Sequence, residues 1–167
     1  MALNLRIPFK KKLKPEGHNL VPLYQPFRFV TPHDLDIIIG FAAQETIATC
    51  TLIYGGVLER HPELDICLSH GGGATGYVFG RMASAAQKRP WASESMRQDG
   101  AFEALLHRLW FDIHVHDDDS VALLKRKVNP DRLVFGTNFA GWDQQPGNIR
   151  EQAAPYASNA RRLLRSE

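Results

Sequence analysis

Asp65-Ile66-Cys67-Leu68-Ser69-His70-Gly71-Gly72-Gly73 is a short apolar run that passes straight into a histidine and three glycines. The turn signal His61-Pro62 precedes it, so the run has the profile of a buried strand with a glycine-built exit. Upstream, Ile47, Cys50, Tyr54, Val57 and Leu58 fall on one stripe and predict a helix over 42–59. Downstream, Tyr77, Val78, Met82 and Ala85 share a face of a helix predicted over 74–88, which Arg89-Pro90 closes. The pattern then repeats. Residues 91–100 are polar and read as loop, and 101–107 as a short helix leading into Leu109-Trp110-Phe111-Asp112-Ile113, an aromatic and β-branched strand. Asp117-Asp118-Asp119 and Lys125-Arg126-Lys127 suit the two ends of the dipole of a helix carrying Val121, Leu124 and Val128. Asn129-Pro130 breaks that helix, and Arg132-Leu133-Val134-Phe135 is a third strand, ending at Gly136. A polar loop through Asp143 and Pro146 follows, and residues 158–165 form a closing helix. Helices alternating with strands, on connections long enough for crossovers, predict an α/β fold with a parallel sheet.

Residues 1–36 show no steady period. Pro8, Pro15, Pro22, Pro26 and Pro32 each lack a donor N–H and push the preceding residue out of helical geometry, so this segment reads as irregular or at best edge strand. The remaining span, 37–167, reads as one domain, and a chain of 167 residues suffices for a single core.

Twenty Lys and Arg against 18 Asp and Glu leave a net charge of +2, and the only dense basic run is Lys10-Lys11-Lys12-Leu13-Lys14. That balance gives no support to nucleic-acid binding, and the run reads as a solvated arm. Contiguous apolar stretches fall short of the roughly 18 residues a membrane span needs. Cys50 and Cys67 lack CxxC spacing and read as reduced thiols, and no apolar segment follows the N-terminal basic residues, so a cytoplasmic protein is expected.

Chemistry in parallel α/β proteins sits beyond the C-terminal ends of the strands. At the first such end stands His70, followed by glycines that let a ligand approach the backbone; its bland alternative is a satisfied buried histidine. An HGGG string also builds esterase oxyanion holes, but the required G-x-S-x-G is missing. Gly71-x-Gly73-x-x-Gly76 matches a dinucleotide fingerprint formally, yet Arg89–Glu94, where a second strand and acid should follow, is no strand. At the second end, His114-Val115-His116 puts two imidazoles on one face of an extended segment, a way to hold Zn²⁺, or else it is a polar loop capping the next helix. At the third end the chain carries Asn138, a neutral amide and a poor transition-metal ligand. Arg81 and Arg89 could grip a substrate carboxylate or could simply be solvated.

Taken together, Glu45-Thr46, the run Ile53–Leu64, Leu68-Ser69-His70-Gly71-Gly72-Gly73, Gly80-Arg81, Val115-His116-Asp117, Asp131–Thr137 and Asn159–Leu164 resemble the aminocarboxymuconate-semialdehyde decarboxylase family of the amidohydrolase superfamily. The resemblance covers about residues 37–167. It implies a metal-dependent (β/α)₈ barrel acting on small unsaturated or aromatic carboxylic acids, by decarboxylation or less often hydrolysis. A full barrel needs roughly 200 to 250 residues, so the chain resembles the last three or four β/α units of one. By resemblance His70 is the acid/base histidine, Arg81 a carboxylate binder, and Arg89 falls where a second arginine is often found. Asn138 stands where the family has a metal-binding aspartate, so that ligand is lost. His18 lacks an apolar strand before it and takes no role.

The resemblance therefore implies a carboxy-lyase or hydrolase with a divalent metal, Zn²⁺ or else Mn²⁺, and no complete ligand set; His114 and His116 could supply a replacement. The rival reading is a non-catalytic half-barrel acting as an interaction partner. Either way, unpaired sheet edges predict a homo-oligomer or a partner chain that supplies the missing half.

Overall fold

The computed structural model describes residues 33–144 and 146–166. The irregular segment expected over 1–36, apart from its last four residues, lies outside the described residues, as do the Lys10–Lys14 run and His18.

Three parallel strands form one sheet in the order β1-β2-β3: β1 (Cys67–Leu68), β2 (Trp110–Asp112) and β3 (Leu133–Val134). Cys67 pairs with Trp110 and Leu68 with Phe111, while Phe111 also faces Leu133 and Asp112 faces Val134. Each strand is shorter than its apolar run predicts. Hydrogen bonds from Trp110 to Ile66 and from Ile113 to Val134, both 2.9 Å, extend the pairing by a residue, after which the chain turns into the loops that carry the site.

The helices are α1 (Phe41–Tyr54), α2 (Val57–Arg60), α3 (Thr75–Lys88), α4 (Ala101–Leu106), α5 (Asp118–Lys127), α6 (Ile149–Ala153) and α7 (Ala157–Leu164). The single helix expected over 42–59 is divided into α1 and α2, because Gly56 adopts φ +65° and interrupts the helical ladder. It also starts earlier: Asp36–Gly40 form a π-helical turn that runs into α1. The resulting helical run, Asp36–Tyr54, has 19 residues and is long and apolar enough to cross a membrane by length and composition. A count of contiguous apolar residues misses this, because Glu45, Thr46 and Thr49 interrupt the run, and those residues bind the β1 exit. α6 was not foreseen in the polar loop. α5 begins where its acids place it, with the Asp117 carboxylate accepting from the Ser120 backbone N–H at 2.8 Å.

The core gathers where the helices cross the sheet. Phe111 at the centre of β2 is fully buried, as are Ile53, Leu106 and Leu109, with Leu133 and Leu58 nearly so. Asn159 of α7, also buried, donates to the carbonyls of Leu133 (2.8 Å) and Pro130 (3.1 Å), which pins the last helix to the edge of β3. This α/β arrangement leaves the C-terminal ends of the three strands side by side.

Candidate active site

The exit of β1 is a sequence of left-handed residues: His70 (φ +47°), Gly71 (+61°), Gly72 (+70°) and Gly73 (+66°). Glycine tolerates that region, whereas a histidine there is uncommon and needs support from its surroundings. The support comes from α1. Glu45 Oε1 lies 2.9 Å from His70 Nδ1 and also accepts from the Ser69 hydroxyl. One turn of helix places Thr46 and Thr49 beside it; Thr46 Oγ1 accepts from the Ala74 N–H at 2.8 Å, and Thr49 meets Thr75 at 3.2 Å. A polar stripe on an otherwise apolar helix is thus spent on the glycine turn.

β2 ends on Asp112, whose Oδ1 accepts from the backbone N–H of Gly71 (3.2 Å) and of His114 (3.0 Å). One carboxylate therefore ties the first strand exit to the second. Burial raises the Asp112 pKa above the usual carboxylate range, even though both N–H bonds and the nearby imidazoles act the other way. His114 follows, almost wholly buried, with His116 half exposed at the cavity mouth. Both rings point a nitrogen at Asp143: Nε2 of His114 lies 3.1 Å and Nε2 of His116 3.2 Å from Asp143 Oδ2. The other oxygen of Asp143 accepts from the Asn138 side-chain amide. Burial works against ionisation of Asp143, but the bonds from His114 and Asn138 outweigh it and hold its pKa below the ordinary range.

His70 faces these groups, with its ring centroid 5.4 Å from that of His114. Burial alone would lower the His70 pKa; the Glu45 bond and the charges of Glu45, Asp112 and Asp143 together win, and it is raised. His70, His114, His116, Asn138 and Asp143 border one open cavity of about 650 Å³, whose walls include Tyr77 and Trp142. His70, His114 and Asp143 each offer one ligand atom, and the three atoms lie within 4.8 Å of one another. His114 Nδ1 and Glu45 Oε2 are buried without a hydrogen-bond partner among the described residues. Buried polar atoms are normally satisfied, so the site has bonding capacity to spare, and two imidazoles with a carboxylate are donors that suit a divalent metal.

The structure thus unites His70, His114, His116 and Asn138. Arg81 and Arg89 are exposed on and just beyond α3, and neither lines the cavity, whose wall is built from the first turn of that helix. Position 138 carries an amide, and that amide donates to the carboxylate of Asp143 in the same loop. Asp143 escaped notice because a loop has no periodicity to single out one polar residue. Sequence reasoning gives no site role to Glu45, inside the helix expected over 42–59, or to Asp112, inside the strand expected over 109–113. For Glu45 the signal was available, in the polar stripe Glu45-Thr46-Thr49 on an apolar helix.

Residues 12–165 match the family model for amidohydrolases. Among curated relatives, the 2-amino-3-carboxymuconate-6-semialdehyde decarboxylases of Dictyostelium discoideum and Caenorhabditis elegans are 26% and 28% identical. Each alignment covers 76% of this chain, and 36% and 32% of the relative respectively. A 2-keto-4-carboxy-3-hexenedioate hydratase of Sphingobium sp. is 27% identical, over 60% of this chain and 28% of its own length. The chain therefore spans about a third of the length of the curated relatives it matches. Among solved structures, Metarhizium anisopliae IDCase in apo form superposes with a TM-score of 0.61 at 23% identity, covering 80% of this chain and 42% of that one. The 4-oxalomesaconate hydratase of Rhodopseudomonas palustris gives 0.53 at 23% identity, covering 77% of this chain and 36% of that one. These likenesses show the fold, part of a (β/α)₈ barrel. With the family model matched over all but the two ends and the strand exits carrying the histidines, the chain belongs to the amidohydrolase family.

Proposed function

We propose that this chain carries the catalytic face of a metal-dependent carboxy-lyase or hydrolase acting on a small unsaturated or aromatic carboxylic acid. The observation that carries the reading is the convergence of the Glu45–His70 pair with His114 and Asp143 on one cavity at the C-terminal ends of the strands. The decarboxylase relatives support the carboxy-lyase reading. A cavity of about 650 Å³ admits a small organic acid, and Tyr77 and Trp142 offer flat walls to a planar one. A divalent metal, Zn²⁺ or Mn²⁺, would supply carboxylate binding and the acidification of a water molecule. Proton transfer at the substrate carbon falls to an imidazole that the cavity exposes. Two qualify, His70 with its side chain 30% exposed and His116 with 56%. Arg81 is our proposed partner for the substrate carboxylate in an assembly that covers the open side of the cavity. The thiols Cys50 and Cys67 suit a reducing, cytoplasmic setting.

The test is turnover by the full chain, loaded with Zn²⁺ or Mn²⁺, on a panel of small unsaturated and aromatic carboxylic acids, followed by CO₂ release and by loss of ultraviolet absorbance. The expected result is turnover that His70→Ala lowers at least ~100-fold. No turnover on any acid, in a protein that is folded and metal-loaded, would overturn the reading. It would favour the rival one, a non-catalytic half-barrel, to which the amide at position 138 also points.

A further inference from the structure

We infer that His70, His114 and Asp143 form a three-donor seat for a divalent cation, in which Asp143 takes over from the carboxylate absent at position 138. The inference rests on the metal-dependent reading above and assigns the ligands within it.

The geometry is that of a ligand set: two imidazole nitrogens and one carboxylate oxygen within 4.8 Å of one another. Two histidines with one carboxylate are a sufficient protein contribution to a catalytic divalent site, because they leave positions for water and substrate. Each donor is held from behind, as metal ligands are. Glu45 fixes His70 through Nδ1, which leaves Nε2 as the nitrogen available to the cavity. Asn138 holds one oxygen of Asp143 and leaves the other to the imidazoles. Asp112 accepts from the backbone N–H of His114 and sets where that residue leaves β2. The buried His114 ring has a nitrogen, Nδ1, with no partner among the described residues, a deficit that a cation ligated there relieves.

Such a seat also divides the labour among the imidazoles. A nitrogen that ligates a cation cannot carry a proton, so of the two imidazoles qualified above, His70, in the seat, is withdrawn from proton transfer. His116, half exposed at the cavity mouth beside Trp142, is left for proton transfer.

The experiment is a titration of the metal-free full chain with Co²⁺, read by its visible absorption and by calorimetry, with no substrate present. One saturable equivalent is expected, with a spectrum of low coordination number. Asp143→Asn and His70→Ala should each weaken binding at least ~100-fold, and Asn138→Ala, which keeps all three donors, by about 10-fold with the spectrum retained. His116→Ala should keep affinity and spectrum. A thermal melt of each variant separates lost ligation from lost folding, and Asp143→Asn, on a loop outside the core, is the decisive variant. No saturable Co²⁺ binding, or unchanged binding in Asp143→Asn or in His70→Ala, overturns the inference. A protein that binds Co²⁺ as described yet turns over no acid would sink the proposed reaction and leave the seat standing.

Discussion

Gly73 is the residue on which the β1 exit turns. A Cβ placed there would lie 1.9 Å from the carbonyl oxygen of Ala42, and the backbone holds φ at +66°. Both obstacles are backbone, so no side chain can swing aside. Gly73→Ala is therefore expected to destabilise the chain by more than ~2 kcal/mol in urea titrations, through steric overlap and left-handed strain together. Gly80, within α3, is the matched control: nothing lies within 4 Å of a Cβ built there. Gly80→Ala should stabilise by roughly 0.5–1 kcal/mol, because alanine loses less backbone entropy in a helix. Equal effects at the two positions would refute this account of the turn. The histidine-glycine run was legible in the sequence at this scale, since a strand followed by three glycines leaves few alternatives. The carboxylate at position 143 was not, because its role depends on how one loop folds back over another.

At the scale of elements, Asp65 joins three of them. It stands at the approach to β1, accepts from the Trp110 indole of β2 at 2.9 Å, and pairs with Arg132 (3.2 Å), just before β3, and with Arg165 (3.3 Å), just after α7. The indole bond is the largest influence on its pKa and, with both arginines, lowers it against the effect of burial. A carboxylate whose folded pKa is depressed contributes stability above its unfolded value, near 3.9, and loses it as pH falls through the folded value. Wild type should therefore exceed Asp65→Asn in urea midpoint at pH 7, with the gap closing below about pH 4. A gap independent of pH would show that shape and not charge carries the contact. The elements themselves were largely legible: α3, α4, α5 and α7 fall within a residue or so of the expected spans, and α3 and α5 each have an apolar face with a breaker beyond it, Arg89-Pro90 and Asn129-Pro130. Two features were not. The Ile37-Ile38-Ile39 run has no helical period, so the early helical start at Asp36 stayed hidden. α6 lies in a polar loop where a cap from Asn148, and not an apolar stripe, sets the helix.

At the scale of the whole molecule, the sheet has two outer strands, and among the described residues neither β1 nor β3 has a neighbour on its outer side. Beside the cavity mouth, Ile38, Ile39, Phe41, Tyr77, Phe139 and Trp142 are all at least 40% exposed, with Tyr77 at 84%. Apolar surface of that extent and two unpaired edges each favour association. Sedimentation equilibrium is expected to give a mass above the 18.8 kDa of one chain, and replacing Ile38 and Ile39 together with lysine should shift it toward that value. A sharp monomeric species with a cooperative melt in the unaltered chain would contradict the expectation. Fold class was readable at this scale from the alternation of helices and strands alone. Which face stays open was not, since it depends on the curvature of a sheet only three strands wide.

The spacing of the site along the chain bears on how it assembles. Glu45 and His70 are 25 residues apart, His114 and Asp143 are 29 apart, and the Gly71–Asp112 bond that joins the two pairs spans 41. Closing a loop costs entropy that grows only with the logarithm of its length, so all three closures carry similar and modest penalties. By contrast, the contact of Arg165 with Asp65 spans 100 residues and cannot form until every element from β1 to α7 has been made. The cluster at the strand exits can therefore collapse one exit at a time, and α7 closes behind it as a latch.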